Sequence, residues 1–370
     1  MKDPRVDQLA DMLLTYSLGV KSKQRVLIQG EKGCEPLMMA AYAKCLEMGA
    51  YPYPMLYPAE LLPTILKHGN PEDYDKIVET WKYFYETFDA RLRILGEENT
   101  KEAAGFDPNK VSKLYGAWGK FLKIVLDREA RGEMHWVATL FPTNAYAQDA
   151  GMSLEEYTDF VFRACMPDSK DPIGYWKGVA AQQDKIIAWL KGKENVHITA
   201  PGTDLKLSVK GRPFINCCSK VNVPDGEVFT SPIEDSAEGH VHFTYPSVYE
   251  GNEVQNVRLE FQKGKVVKAT AEKGQDFLLS KLDSDAGARY LGEFAIGTNE
   301  GINRFTGQIL FDEKIGGSFH LAVGHGYPEA LTQNTESAVH WDMVCDLRKG
   351  GQITVDGELF YKDGKFAVAF

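Results

Sequence analysis

The sequence predicts an α/β N-terminal domain with a parallel sheet and added helices, followed by a mostly β domain of α+β character. Three observations carry this prediction. Near the N-terminus the chain runs strand, helix, strand, the mark of a βαβ unit whose two strands pair in parallel. Helical spacing then dominates residues 60–193. From Asn195 onward, short alternating strands separated by turns take over. A chain of 370 residues, 44% hydrophobic and 25% charged, is long enough for two cores. The expected domains are 1–193 and 194–370, divided within the run KGKEN near residue 193.

Taken in order, MKDPRVDQLADMLLTYSLGV reads as an amphipathic helix over about residues 4–18. RVLIQG, from Arg25, is a short apolar run closed by Gly30 and fits a buried strand. EPLMMAAYAKCLEMGA is a helix stopped by Gly49, and YPYPML is a second extended stretch. Residues 72–98 place Trp81, Phe84, Tyr85 and Phe88 on one side at helical spacing. EMHWVATLF reads as a further strand. Helices follow over residues 153–193, with Ser153 and Glu156 forming a capping box. The second half offers HITA, DLKLSV, GEVFTSP, HVHFTY and VRLEFQKGKVVKATA as strands, interrupted by a helix over about Asp276–Tyr290. Asp356-Gly357 and Asp363-Gly364 mark two hairpin turns in the tail.

The composition removes several functions. A net charge of -10 is unsuited to nucleic acid, which needs a basic face to displace counterions, and to anionic membrane surfaces. No window offers the roughly 20 apolar residues that span a bilayer. The first residues lack the apolar core and small-residue cleavage site of a signal peptide. Six scattered cysteines form no CxxC pair and read as free thiols in a reducing cytoplasm.

Of eight histidines, five fall between His240 and His340. In a strand, His340 and Asp342 point to the same face and can reach one cation together. His320 lies in an apolar strand-like run, where a buried ring needs a partner, and Tyr327 follows past glycines that permit a tight turn. Glu227 stands at the start of a β-type run between Pro224 and Pro232. Glu293 is flanked by Leu291 and Phe294, and a glutamate in such a run needs a cation or an arginine. Each residue alone has an ordinary reading: surface histidine, core histidine, turn acid, arginine-paired glutamate. His325, in the glycine turn, is assigned to structure or substrate contact, and Glu234, Asp235 and Glu238 to a solvated loop. Together, Glu227, Glu293, His320, His340 and Asp342 suit two divalent ions, such as zinc, cobalt, manganese or magnesium, about 4 Å apart.

The segments NVPDGEVFTSP, ARYLGEFAIGTNEGI, HLAVGHGY and VHWDMV resemble the four ligand-bearing segments of the M29 family of metallopeptidases, the aminopeptidase T and aminopeptidase S group. KSKQRVLIQG with GAYPYPML, TDLKLSVKGR and the final KDGKF are similar to the same family, so the resemblance covers most of residues 5–60 and 195–370 and is weaker across 60–193. It implies a cytoplasmic homodimeric aminopeptidase acting on peptides. Its dinuclear centre would be held by Glu227, Glu293, His320, His340 and Asp342, in the second domain. It also implies catalytic roles for Tyr327, as donor to the oxyanion, and for Glu293, as a bridge or, with Glu227, as a proton acceptor. Two stretches depart from the family pattern and are expected at the substrate entrance: the link from Tyr327 to His340, and DEKIGGS in place of a DEN-like segment. The alternative is a catalytically inactive or non-peptidase metal-binding member of the same fold. An anion site at QGEKG, residues 29–33, matches no phosphate-binding motif and reads as a turn.

Overall fold

The structure, a computed structural model, describes residues 3–370. It divides into two compact units, residues 3–173 with Ser219–Val223, and Gly174–Cys218 with Pro224–Phe370.

The first unit is built on five parallel strands in the order Tyr51–Tyr57, Arg25–Glu31, Ala90–Leu95, His135–Leu140, Asn222–Val223. The expected βαβ unit is present as Arg25–Glu31, the helix Glu35–Glu47 and Tyr51–Tyr57. The first helix, Pro4–Met12, is capped by the Asp3 carboxylate and continues into a π-helical turn, Leu13–Ser17. Residues 72–98 do not form one helical stretch. Two short helices, Tyr74–Val78 and Lys82–Thr87, give way to the strand Ala90–Leu95. That strand buries Ala90, Leu92 and Ile94 on one face and turns Arg91 and Arg93 to the other. Its period of two is only six residues long and follows directly on aromatic residues at helical spacing, which masks it. The Ser153 hydroxyl accepts the Glu156 N–H at 3.1 Å, as the capping box requires. Among the described residues no helix is long and apolar enough to cross a membrane, and all six cysteines are free.

The second unit opens with the helix Pro172–Leu190, not at KGKEN. Ile186 and Leu190 on this helix are buried in one core with Val196, Ile198 and Leu205, so packing sets the division earlier than the change of composition does. An eight-stranded and a five-stranded antiparallel sheet contribute to that core. The tail turns are as expected: Asp356 and Gly357, and Asp363 and Gly364, all have positive φ, from 47° to 82°. The helix expected to reach Tyr290 ends at Leu282, because the Asp285 carboxylate captures the N–H groups of Gly287 and Ala288 and folds a local turn.

The five-stranded sheet positions the candidate site. Its order is His340–Asp346, Ser318–Gly324, Leu291–Gly297, Glu227–Thr230, Ile215–Cys217. Val228, Phe294, Ile296, Phe319, Leu321, Val323, Trp341 and Met343 alternate into the hydrophobic core. The intervening residues share the opposite face. There Asp342 pairs across from Ala322, His320 from Ala295, and Gly297 from Glu227. A register shift between Leu291 and Glu293 sets Glu293 opposite Ala322. Small residues, Ala295, Ala322 and Gly297, therefore sit among the polar ones and leave room above them.

Two glycines make close approaches possible at this face. Gly226 has φ 115°, and a methyl group on it would meet Asn299, whose amide donates to the Asp225 carbonyl at 2.7 Å. Gly297 lies under the 314–315 backbone, so a methyl there would collide with the Ile315 carbonyl. Gly297→Ala is expected to destabilise the protein by about 1–3 kcal/mol, since the backbone above it must shift. Urea denaturation checks this, and an unchanged midpoint would show that the approach is not needed.

Candidate metal centre

All five residues singled out from the sequence meet on that one face. His320 Nε2 lies 3.4 Å from Glu227 Oε2, 3.5 Å from Glu293 Oε1 and 3.9 Å from Asp342 Oδ1. His340 Nε2 lies 3.5 Å from Glu293 Oε2 and 3.3 Å from Asp342 Oδ2. Glu293 and Asp342 thus each turn one oxygen toward each imidazole. Two overlapping donor groups result, Glu227–Glu293–His320 and Glu293–His340–Asp342, with donor atoms in each within 4.8 Å of one another.

The backbone fixes these directions. His340 Nδ1 is 2.7 Å from the His325 carbonyl oxygen, so Nδ1 carries the proton and donates, and Nε2 faces the acids. His325 therefore contributes its peptide group to the site. Trp341 Nε1 donates to the Ser247 hydroxyl, which donates to the Asp342 carbonyl, pinning the His340–Asp342 segment from the core side. The Tyr327 ring packs at 5.0 Å from the His340 ring and 5.5 Å from Phe229. Glu234 belongs elsewhere: it pairs with Arg212 at 2.7 Å and accepts from Thr332 and Gln333.

Sequence reasoning missed three members of the cluster. Lys314 is buried, 1% exposed, and its ammonium bonds Glu227, lies 2.7 Å from Glu313 Oε1 and lies 3.8 Å from Asp225 Oδ1. The DEKIGGS segment, expected at the substrate entrance, thus enters the cluster itself, because Gly297 lets its backbone lie on the sheet. The available signal was the run Asp312-Glu313-Lys314 before the His320 strand. A charged run of this kind ordinarily reads as a solvated turn.

Charge crowding dominates the electrostatics. Burial opposes a proton on either histidine. The surrounding carboxylates outweigh it, lifting His320 to about 9 and His340 to about 10. Burial would raise Asp342, but His340 holds it down at about 2. Burial drives Glu293 upward against the pull of His320, and drives Glu313 up to about 8 despite Lys314. Lys314 stays charged, since Glu227, Glu313 and Asp225 overcome the cost of its burial. Burial, with Glu293 and Asp342 nearby, raises the Tyr327 phenol well above its ordinary range, so it remains an O–H donor.

The residues present fit divalent cations. Glu227 Oε2 and Asp342 Oδ1 are buried acceptors with no hydrogen-bond partner among the described residues, and both face His320 Nε2. A buried carboxylate oxygen without a donor is costly unless a cation completes it. Carboxylate and imidazole donors are the mixture that borderline and hard divalent ions accept.

A polar sheet face carrying this donor set is the kind of site found in metal-dependent hydrolases. The chain belongs to the M29 family, as the model for thermophilic metalloproteases (M29) matches residues 2–366. Aminopeptidase T of Thermus thermophilus is 27% identical, over 97% of this chain and 95% of that protein. The solved structure of wild-type AmpT from Thermus thermophilus superposes with a TM-score of 0.86 at 24% identity, covering 99% of both chains, and shares the fold. A 2,5-dihydroxypyridine dioxygenase from Pseudomonas putida superposes at 0.58 with 15% identity, covering 98% of this chain and 97% of its own.

Metal uptake is expected to release protons. Both histidine values lie above the ordinary 6.5, so in metal-free protein both rings hold protons at pH 7 and lose them as pH rises through about 9 to 10. A cation needs the neutral ring, so its affinity rises with pH across that window. Calorimetric titration of metal-free protein with zinc near pH 7, in buffers of different ionisation enthalpy, should count about two protons released at saturation. Zero release would contradict this assignment.

Proposed function

We propose that the chain is a metallo-aminopeptidase that removes N-terminal residues from peptides, and that Glu227, Glu293, His320, His340 and Asp342 hold its metal. One observation carries the reading: these five side chains converge on one sheet face of a chain belonging to a metalloprotease family. Two divalent ions, from among zinc, cobalt, manganese and magnesium, suit the local charge. Asp225, Glu227, Glu293, Glu313 and Asp342 against Lys314 alone leave four negative charges when all are ionised. When bound, such ions polarise a carbonyl and lower the pKa of water toward neutrality.

The chain's own residues supply the rest. Glu227 is paired with the Lys314 ammonium, whereas Glu293 has only imidazole partners among the described residues, so Glu293 is the carboxylate placed to accept the proton of the attacking water. Glu293 lies between the two imidazoles, within reach of both, and would otherwise help to hold the metal. Tyr327 keeps its phenolic proton and stands beside His340, placed to donate to the oxyanion that forms on the scissile carbonyl. His340 has a side chain 24% exposed whereas His320 is sealed at 1%, so a peptide enters from the His340–Tyr327 side. Its free α-amine meets carboxylates there, which favours an exopeptidase. A homodimer and a cytoplasmic location complete the reading, and sedimentation analysis tests the assembly.

Glu293→Gln and His340→Ala are each expected to abolish hydrolysis of aminoacyl chromogenic substrates with the circular dichroism spectrum unchanged. Activity that survives in both variants, or through exhaustive chelation, would end the scheme. Tyr327→Phe is expected to lower kcat by about 10²–10³ with little change in KM, the loss typical of a single oxyanion donor. A kcat equal to wild type would reduce Tyr327 to a packing residue.

A further inference from the structure

The first unit contains a cavity of about 300 Å³ at the carboxyl end of its parallel strands. The strand order places the topological switch between Arg25–Glu31 and Ala90–Leu95, where the chain continues to opposite sides of the sheet. In open α/β sheets this crevice is where ligands bind. The registers set Gln29 beside Arg93, Glu31 beside Tyr57 and Leu27 beside Arg91, so these polar groups share one face. A face buried against a helix would be apolar. Here it forms a charged floor.

The charges on that floor are only partly matched. Arg93 is neutralised by Glu31. Arg91 is held by Gln29, which accepts its Nε–H at 2.5 Å and donates its own amide to Tyr57 and Tyr85 at 2.6 and 3.0 Å. The Arg91 guanidinium lies 5.2 Å from the Tyr85 ring centroid and forms no ion pair among the described residues. Across the same cavity, Glu97 and Glu102 also form no ion pair among them. Burial and the neighbouring acids push Glu102 up to about 7. The wall is aromatic: Tyr57 and Trp81 lie 5.2 Å apart, and Trp81 stacks on Trp118 at 6.1 Å and 9°. Trp118 Nε1 is buried without a hydrogen-bond partner.

An unmatched cation and unmatched carboxylates around one aromatic-walled cavity complement a molecule carrying both charges. The carboxylates would repel a phosphate, and Arg91 would repel a simple amine. The volume lies at the lower end of the roughly 300–1,000 Å³ of small-molecule sites, which suits a compact ligand rather than a dinucleotide. We propose that this cavity binds a free amino acid with an aromatic side chain. Its carboxylate pairs with Arg91, its ammonium faces Glu97 and Glu102, and its ring lies against Trp81 and Trp118. The inference does not depend on the metal centre.

Calorimetry on metal-loaded protein tests it with L-phenylalanine, L-tryptophan, N-acetyl-L-phenylalanine and L-phenylalaninamide. At least one free amino acid is expected to bind, with the two blocked analogues weaker by about tenfold or more, since each loses a charged hydrogen-bonding group. Arg91→Met should abolish this binding and leave aminopeptidase turnover unchanged. Glu102→Gln, in a loop outside the sheet, should weaken it and serves if Arg91→Met does not fold. The same titration on His340→Ala should be unaltered, which separates this cavity from product binding at the metal centre. The proposal fails if neither amino acid binds, if binding ignores both cavity variants, or if it vanishes in His340→Ala.

Discussion

An excess of buried carboxylate governs the second unit. Asp225, Glu227 and Glu313 crowd around the Lys314 ammonium, and Glu293 and Asp342 around the imidazoles of His320 and His340. Like charges this close in a poorly solvated site cannot all ionise without partners. With only protons to hand, the cluster takes them up: both imidazoles are held charged and Glu313 is pushed up to about 8. Under the proposed reading, the two imidazole protons mark charge that a metal cation would otherwise satisfy.

Such a cluster needs a stiff support, and the sheet supplies it by dividing its labour between faces. One face is anchored in the core by Phe294, Phe319, Leu321, Trp341 and Met343. That packing prevents the strands from spreading under the repulsion above them. The other face pairs each charged residue with a small one across the ladder, Asp342 and Glu293 with Ala322, His320 with Ala295. Larger neighbours would fill the space a cation needs. Gly297 extends the same economy to the backbone, since its missing side chain lets the 314–315 backbone lie close above the sheet, where Lys314 bonds Glu227.

Much of this was legible before the structure. Strand alternation puts His340 and Asp342 on one face, and in the structure both lie in the cluster while Trp341 between them is buried in the core. His320 and Glu293 stood out as polar residues inside apolar runs, which is what one polar position on an otherwise apolar strand looks like. Lys314, Glu313 and Asp225 were not legible, because their burial depends on a long-range approach over Gly297 and Gly226, and no local pattern encodes that. The strand Ala90–Leu95 was lost for a related reason. Its outward arginines look like surface residues, yet strands pair on both sides of it and one of them is neutralised by Glu31.

The likeness to a dioxygenase at 15% identity shows that this fold does not by itself choose a reaction. The choice lies in the side chains on the polar face, and here Lys314 makes their arrangement asymmetric. It sits beside Glu227 and His320, in a region sealed from water, while His340 and Tyr327 border the accessible side. A fixed ammonium shares the negative charge of Glu227, whereas Glu293 and Asp342 face the two imidazoles. Under the proposed reading, the sealed half anchors and the open half works. His340 and Tyr327, on the accessible side, would meet the substrate, whereas the residues around His320 would serve to hold metal. That division follows from the burial of His320 beside the Lys314–Glu227 pair and from the greater exposure of His340.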